Sequence, residues 1–124
     1  MIILRHCESE FNRRYGLDGR DPGLPDPTLS GKGQTHALEL AEQLRRQHIT
    51  RVLVSPFTRA LQTAAPIAAA LNITPEITPV IRERGMYSCD KGTPASRLAQ
   101  AWPDLDFTAL QEEWWSALPE PGHA

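Results

Sequence analysis

This sequence has little cysteine, and it lacks long apolar runs and any marked excess of charge of one sign. Two cysteines, Cys7 and Cys89, are too few for a disulfide framework or a zinc knuckle. Lysine plus arginine number 13 against 15 for aspartate plus glutamate, so the chain lacks the basic surplus of a nucleic-acid-binding protein. No uncharged apolar run approaches the roughly 18 residues that a membrane span needs. We therefore expect neither a nucleic-acid partner nor a membrane partner.

The N-terminus also lacks a basic leader followed by an apolar stretch and a small-residue cleavage site. The expected location is the cytoplasm, where both thiols stay reduced. The chain is 40% apolar and 23% charged, which is typical of a soluble globular fold. Its length fits one domain, so residues 1–124 are predicted to form a single domain.

Short apolar segments alternate along the chain with longer segments of helical periodicity. Strands are predicted at 1–4, 51–55 and 77–81. Helices are predicted from the cap Ser30 to about residue 46, over 57–71 with a kink at Pro66, over 93–102, and over 108–118. Residues 12–27 are predicted to be an irregular loop. Strands separated by helices predict an α/β fold with a mainly parallel sheet and helices on both faces.

Polar side chains follow the predicted strands at the points where they end. Arg5 and His6 follow the first strand, Arg59 follows the second, and Glu83 follows the third. In open parallel sheets, ligands bind beyond the carboxyl ends of the strands. The sequence therefore predicts that these four residues lie on one rim of the sheet.

The residue types on this rim favour phosphoryl transfer. A neutral imidazole at His6 can attack phosphorus and hold the phosphoryl group covalently. Guanidinium groups at Arg5 and Arg59 can bind phosphate oxygens in pairs, and with Asn12 they can take the place of a metal ion. Glu83 can supply the proton that a leaving alkoxide needs. Taken singly, each group has a simpler explanation, such as an ion pair between Arg5 and Glu8 or an exposed charge cluster around Glu83.

Several spaced motifs together resemble the histidine phosphatase superfamily, the phosphoglycerate mutase-like enzymes. The segment Arg5-His6-Cys7-Glu8-Ser9 resembles the family's Arg-His-Gly-Glu-Ser/Thr, and it is followed by Asn12. Residues 26–33 match Asp-x-x-Leu-Ser/Thr-x-x-Gly, and residues 55–64 match Ser-Pro-x-x-Arg-Ala-x-Gln-Thr-Ala. A glutamate at the end of a strand matches Glu83. The resemblance covers nearly the whole chain.

This resemblance implies a phosphoglycerate mutase-like fold and a metal-independent phosphomonoester phosphatase that needs no cofactor. It implies that His6 is the phosphorylated nucleophile, that Arg5, Asn12 and Arg59 bind phosphate, and that Glu83 acts first as acid and then as base. The expected partner is a small-molecule phosphate ester, and homodimer formation is left open. Mutase-type phosphoryl transfer is the alternative activity, while substrate identity is not predicted.

Two departures from the family pattern bear on activity. Cys7 replaces the usual glycine, which adds a side chain where the backbone normally approaches phosphate. The family's second histidine, in a His-Gly turn after a later strand, has no counterpart, since His123 follows a Pro-Gly turn and His36 and His48 fall in or after a helix. Because the chain ends in turn residues after a thin set of strands, we expect further residues beyond Ala124 and impaired catalysis without them.

Two other hypotheses remain. The spacing from His6-Cys7 to Arg13 fits the His-Cys-x5-Arg pattern of cysteine-dependent tyrosine phosphatases, and Trp102-Pro103-Asp104 imitates their acid loop. That chemistry needs a thiolate, which the nearby carboxylates of Glu8 and Glu10 would disfavour. A phosphate-binding or partner-binding module without turnover is the non-enzymatic hypothesis.

Overall fold

The computed structural model describes residues 2–3, 6–78 and 88–116. The described elements are, in chain order, β1 (Ile2–Ile3), α1 (Glu10–Asp18), α2 (Gly31–Leu44), β2 (Val52–Val54), α3 (Thr58–Leu71), β3 (Glu76–Ile77) and α4 (Ala95–Ala101). Single turns of 3-10 helix occur at Ser88–Asp90 and Trp114–Ser116. The predicted α/β class is confirmed.

The three described strands form one parallel sheet in the order β1-β2-β3. Ile3 pairs with Leu53, and Val54 pairs with Ile77. Because the strands are parallel and in register, the residues that follow β1 and β2 leave the sheet at the same edge. This brings the segments that carry His6 and Arg59 to one rim.

The main core lies between β2 and α3. Val52 and Val54 are fully buried, and they pack against the small residues Ala60 and Ala64 and against Leu61 of α3. The core is closed by Phe57, Leu98, Phe107 and Trp114. On its other side α3 packs along α2, and the short alanine side chains allow the two helices to approach closely.

Three of the predicted helices agree closely with the structure. The hydroxyl of Ser30 caps α2 by accepting from the amide of Gly33 at 3.1 Å. Helix α3 contains Pro66 and ends at Asn72, whose φ of 55° is left-handed. Helix α4 begins after Pro94. The kink at Pro66 stays a prediction.

The predicted loop over 12–27 is wrong in its first part, because α1 extends from Glu10 to Asp18. Ser9 and Asn12 form a reciprocal capping box at the start of this helix, and Gly19 ends it with a φ of 69°. The sequence contains the Ser-x-x-Asn spacing and the later glycine, but the high content of Arg, Gly, Asp and Pro over 12–27 favours a loop.

The predicted helix over 108–118 is also wrong in its described part. Residues 108–113 form turns, and only Trp114–Ser116 is helical, as a 3-10 turn. Contacts with the α4 region replace helical hydrogen bonding: the carbonyl of Glu112 accepts from Ala95 N at 3.1 Å, and the indole N–H of Trp114 donates to Thr93 O at 2.8 Å. Tertiary contacts here override the local preference.

Candidate active site

His6 lies three residues beyond the end of β1 and is half-buried. Its Nδ1 is 2.6 Å from the carbonyl oxygen of Cys7. A carbonyl oxygen can only accept a hydrogen bond, so this contact requires the proton to be on Nδ1. In the neutral ring Nε2 then carries the lone pair. The local backbone thus selects the tautomer that a nucleophilic imidazole needs.

A buried hydroxyl links the His6 segment to the helix that carries Arg59. The amide of Cys7 donates to Oγ1 of Thr63 at 3.0 Å, and the same hydroxyl donates to the carbonyl of Arg59 at 2.8 Å. Thr63 has no solvent exposure. The structure therefore brings the His6 and Arg59 segments together, and Thr63 is a site residue that the sequence analysis left without a role.

Arg59 lies in the first turn of α3 and is only 4% exposed. Its Nη1 donates to the carbonyl of Cys89 at 2.7 Å, and its guanidinium carbon lies 4.2 Å from the centre of the Phe57 ring. These contacts hold the planar group from two directions. Burial of a permanent cation is unfavourable unless it has partners of this kind. Such a cation is suited to an anionic ligand.

Asn12 is exposed and has a structural task as well as its predicted one. Its Oδ1 accepts from the amide and the hydroxyl of Ser9, both at 3.0 Å, while Oγ of Ser9 accepts from the amide of Asn12 at 3.1 Å. Because the amide of Ser9 can only donate, the side-chain oxygen of Asn12 must face it. The NH2 group of Asn12 therefore points away from the cap, and phosphate binding by this group stays a prediction.

The two motif segments 26–33 and 55–64 are hydrogen-bonded to each other. Oε1 of Gln62 accepts from the amide of Leu29 at 2.7 Å. The hydroxyl of Ser30 donates to the Glu8 carboxylate at 2.7 Å, which gives Glu8 a partner other than an arginine. A Cβ at Gly33 would lie 2.0 Å from the carbonyl oxygen of Glu8, so only glycine allows this close approach.

Cys7 does not obstruct the site in the way that its replacement of glycine suggested. Its side chain is 6% exposed and packs with Leu29, Ala37 and Leu40. Burial raises the pKa of its thiol, and the hydrogen bond with Thr63 opposes this only in part. A thiol of this kind stays protonated at neutral pH, whereas cysteine-dependent phosphatases need a thiolate.

The segment that imitates an acid loop lies elsewhere in the packing. Trp102, Pro103 and Asp104 line a groove of about 320 Å³ together with apolar residues of α3 such as Leu61 and Ala64. Such a lining is suited to apolar contact. Together with the protonated thiol, it argues against the cysteine mechanism.

Two predicted site residues, Arg5 and Glu83, lie outside the described residues. Across 2–3, 6–78 and 88–116, no group of three or more histidine, cysteine or acidic side chains could hold a metal ion. No helix in the same ranges is long and apolar enough to cross a membrane. His36 and His48 are exposed.

Comparison with known proteins identifies the family. The model of the histidine phosphatase superfamily (branch 1) matches residues 1–123. The chain belongs to the histidine phosphatase superfamily. Phosphoserine phosphatase 1 of Hydrogenobacter thermophilus is 37% identical over 117 residues, which are 91% of this chain and 51% of that protein. A probable phosphoglycerate mutase of Serratia proteamaculans is 30% identical, over 93% of this chain and 46% of its own length.

Solved structures agree on the fold. A phosphoserine phosphatase from Entamoeba histolytica in complex with 3-phosphoglyceric acid superposes with a TM-score of 0.52 at 31% identity, covering 65% of this chain and 38% of that one. A mycobacterial glucosyl-3-phosphoglycerate phosphatase gives a TM-score of 0.56 at 24% identity, over 82% of this chain and 46% of its own. This histidine phosphatase chain thus spans about half the length of the curated relatives it matches.

Proposed function

We propose that this chain hydrolyses phosphomonoesters without a metal ion, through a phosphohistidine formed on Nε2 of His6. The observation that carries the proposal is the 2.6 Å contact between Nδ1 of His6 and the carbonyl of Cys7. It orients the ring and keeps the proton on the nitrogen that does not react. The buried guanidinium of Arg59, joined to the same segment through Thr63, supports it further.

In the first step, the Nε2 lone pair of His6 attacks phosphorus and the ester P–O bond breaks. The leaving alkoxide takes a proton from the carboxylic acid of Glu83. Arg5, Arg59 and the amide of Asn12 bind the phosphoryl oxygens, where charge-assisted hydrogen bonds are each worth about 1.5–3 kcal/mol. The alcohol product and a phosphohistidine result.

In the second step, water attacks the phosphohistidine and gives a proton to the Glu83 carboxylate. The P–N bond breaks, inorganic phosphate leaves, and both His6 and Glu83 return to their starting states. Dividing one difficult displacement into two easier ones is the advantage of a covalent nucleophile.

The substrate class is inferred from the named relatives. Two relatives have the name phosphoserine phosphatase, and the structure of one of them contains 3-phosphoglyceric acid. We infer a small phosphate monoester as substrate and the cytoplasm as the location. Homodimer formation remains a hypothesis that a sedimentation measurement can test.

Mutase-type transfer is the second candidate, and it is favoured by the relative named probable phosphoglycerate mutase. The two activities differ in what the phosphohistidine reacts with. A phosphatase transfers the group to water, whereas a mutase transfers it to a hydroxyl of bound product. Turnover of phosphoglycerate in ¹⁸O-labelled water separates them, because only hydrolysis places ¹⁸O in the released phosphate.

The third candidate is a module that binds phosphate without turnover, and the buried guanidinium of Arg59 also fits this function. Binding of orthovanadate without hydrolysis of p-nitrophenyl phosphate would establish it.

Brief incubation with a ³²P-labelled phosphate donor tests the proposal. We expect an adduct that is stable to alkali and labile to acid, that is lost in His6→Ala and that is retained in His36→Ala. His36 is the matched control because it is an exposed histidine on α2. Labelling that survives in His6→Ala contradicts the proposed nucleophile.

A further inference from the structure

Asp26 lies in the loop between α1 and α2, and its carboxylate contacts two distant segments. It accepts from the amide of Thr58 at 2.8 Å and from the hydroxyl of Thr58 at 2.7 Å. It also accepts from the hydroxyl of Thr93. Thr58 is the first residue of α3 and directly precedes Arg59. Asp26 therefore fixes the backbone from which Arg59 projects.

The backbone of the same loop holds the segment 88–93. The amide of Asp26 donates to the carbonyl of Lys91 at 2.8 Å, and the amide of Leu24 donates to the hydroxyl of Ser88 at 2.9 Å. This segment provides the Cys89 carbonyl that accepts from Arg59. Asp26 thus holds two parts of the Arg59 surroundings: the backbone at Thr58, and the segment whose Cys89 carbonyl accepts from the guanidinium.

Two aromatic side chains, Trp114 and Phe57, connect the 88–93 segment with the guanidinium of Arg59. The indole N–H of Trp114 donates to the carbonyl of Thr93 at 2.8 Å, and the Trp114 ring meets Phe57 edge-on, with 4.8 Å between ring centres. Phe57 in turn lies under the Arg59 guanidinium. Asp26, Thr93, Trp114 and Phe57 therefore form a continuous set of contacts around Arg59.

The backbone conformation of Asp26 is one that its contacts with other residues must stabilise. Its φ is 41°, a left-handed value that is uncommon for a residue other than glycine. Such a conformation persists only where surrounding contacts determine it. Here those contacts are the hydrogen bonds of its own carboxylate and amide.

We propose that Asp26 is a positioning residue that sets where the Arg59 guanidinium meets the phosphoryl group. This inference rests on the proposed function, since it assumes that Arg59 binds phosphate. The carboxylate itself is not expected to touch substrate, because its charge would repel a phosphate dianion. Its oxygens instead accept hydrogen bonds from Thr58, and these bonds fix the position of the first turn of α3.

The test compares the KM and kcat for p-nitrophenyl phosphate, and the Kd of orthovanadate, between variants. Displacing a binding group by about 1 Å costs up to about 100-fold, so we expect Asp26→Ala to raise KM and the vanadate Kd between about 10- and 100-fold. The change in kcat should be smaller, because a phosphate contact made in both ground and transition states acts mainly on KM. Asp26→Asn should recover most of the affinity, since an amide can accept from the Thr58 amide and donate to threonine hydroxyls.

Asp106→Ala is the matched control. The Asp106 carboxylate accepts from the amide and hydroxyl of Thr108 at 2.9 and 2.5 Å, but in an exposed turn. We expect unchanged KM and vanadate Kd in this variant. Because Asp26→Ala places alanine at a positive φ and can impair folding, Thr93→Val provides a milder second variant, with an expected rise in KM of about threefold to tenfold.

The outcomes separate this proposal from the one on which it rests. Vanadate binding by the unsubstituted chain, with equal affinity in folded Asp26→Ala and Thr93→Val, overturns the role of Asp26 alone. If these variants have a lower melting temperature but unchanged KM and Kd, the role of Asp26 is likewise overturned, because Asp26 then only stabilises the start of α3. Absence of vanadate binding in the unsubstituted chain overturns both proposals.

Discussion

The backbone amide of Cys7 donates a 3.0 Å hydrogen bond to the hydroxyl of Thr63, 56 residues further along the chain. This bond joins the segment that follows β1, next to His6, to the second turn of α3. The same hydroxyl donates to the carbonyl of Arg59 one helical turn earlier. The proposed nucleophile and a proposed phosphate ligand therefore share one buried connection.

Thr63→Val removes this connection while keeping the side-chain shape. The buried amide of Cys7 loses its acceptor, which costs about 1–3 kcal/mol in the free energy of unfolding. We also expect a lower kcat/KM, because the His6 segment is then held less precisely. Urea denaturation and steady-state kinetics measure the two effects.

Thr35→Val is the control for this variant. The Thr35 hydroxyl donates to the carbonyl of Gly31 at 3.2 Å, but on an exposed face of α2. We expect a change within about 0.5 kcal/mol and unchanged kinetics. Equal effects of the two substitutions would show that the buried connection has no special importance.

Arg59→Lys tests whether the planar guanidinium is required. Lysine keeps the charge but loses the paired donors and the flat contact with Phe57, so we expect vanadate to bind about tenfold more weakly or worse. Arg51→Lys is the control, since Arg51 forms an exposed ion pair with Glu76 at 2.8 Å. Isothermal titration calorimetry gives both affinities, and similar values for the two variants would remove Arg59 from the phosphate site.

The meeting of the His6 and Arg59 segments could be predicted from the sequence, whereas the supporting contacts could not. His6 and Arg59 each follow a predicted strand, and the ends of parallel strands lie at one edge of the sheet. The sequence therefore indicates that the two residues are neighbours. Asp26, Gln62 and Thr63 each form hydrogen bonds with partners that are 32 to 67 positions away along the chain. Such pairings depend on tertiary packing, which local spacing does not reveal.

The two errors in secondary structure have the same origin. Helix α1 starts at a side-chain cap formed between Ser9 and Asn12. A prediction based on the number of loop-favouring residues does not take this cap into account. The segment 108–113 has helical spacing, but its Glu112 carbonyl and side chain bond to Ala95 and Ser96 instead. In both cases a few specific hydrogen bonds outweigh the average propensity.

Gly33→Ala should destabilise the protein through overpacking. The added Cβ would lie 2.0 Å from the Glu8 carbonyl oxygen, so the backbone next to the His6 segment must shift. Overpacking of this kind costs about 1–3 kcal/mol in unfolding free energy. Gly31→Ala is the matched control, because a Cβ there meets nothing within 4 Å. Equal melting temperatures for the two variants in differential scanning fluorimetry would contradict the close approach.

Cys7→Ser should leave phosphate handling largely intact, because the thiol is buried and protonated. Its raised pKa also has a consequence for stability. The unfolded thiol loses its proton near its ordinary pKa of about 8.5, while the folded thiol keeps it to higher pH. The unfolded state then binds fewer protons, so this contribution to stability is complete below about pH 8.5 and declines as the pH rises above it.

Urea denaturation of the unsubstituted chain and of Cys7→Ser at pH 7 and pH 10 measures this decline. We expect the unsubstituted chain to lose more stability than the serine variant over that range, and Cys89→Ser to behave like the unsubstituted chain. Loss of all turnover in Cys7→Ser, with vanadate binding retained, would instead indicate that Cys7 is the nucleophile.

The central claim concerns one atom, Nε2 of His6. NMR of the ¹⁵N-labelled, phosphate-charged protein under alkaline conditions identifies the nitrogen that is bonded to phosphorus through the ¹⁵N–³¹P coupling. We predict a phosphorylated Nε2 and a protonated Nδ1, as the contact with the Cys7 carbonyl requires. Phosphorus on Nδ1, or on the sulfur of Cys7, would contradict the account.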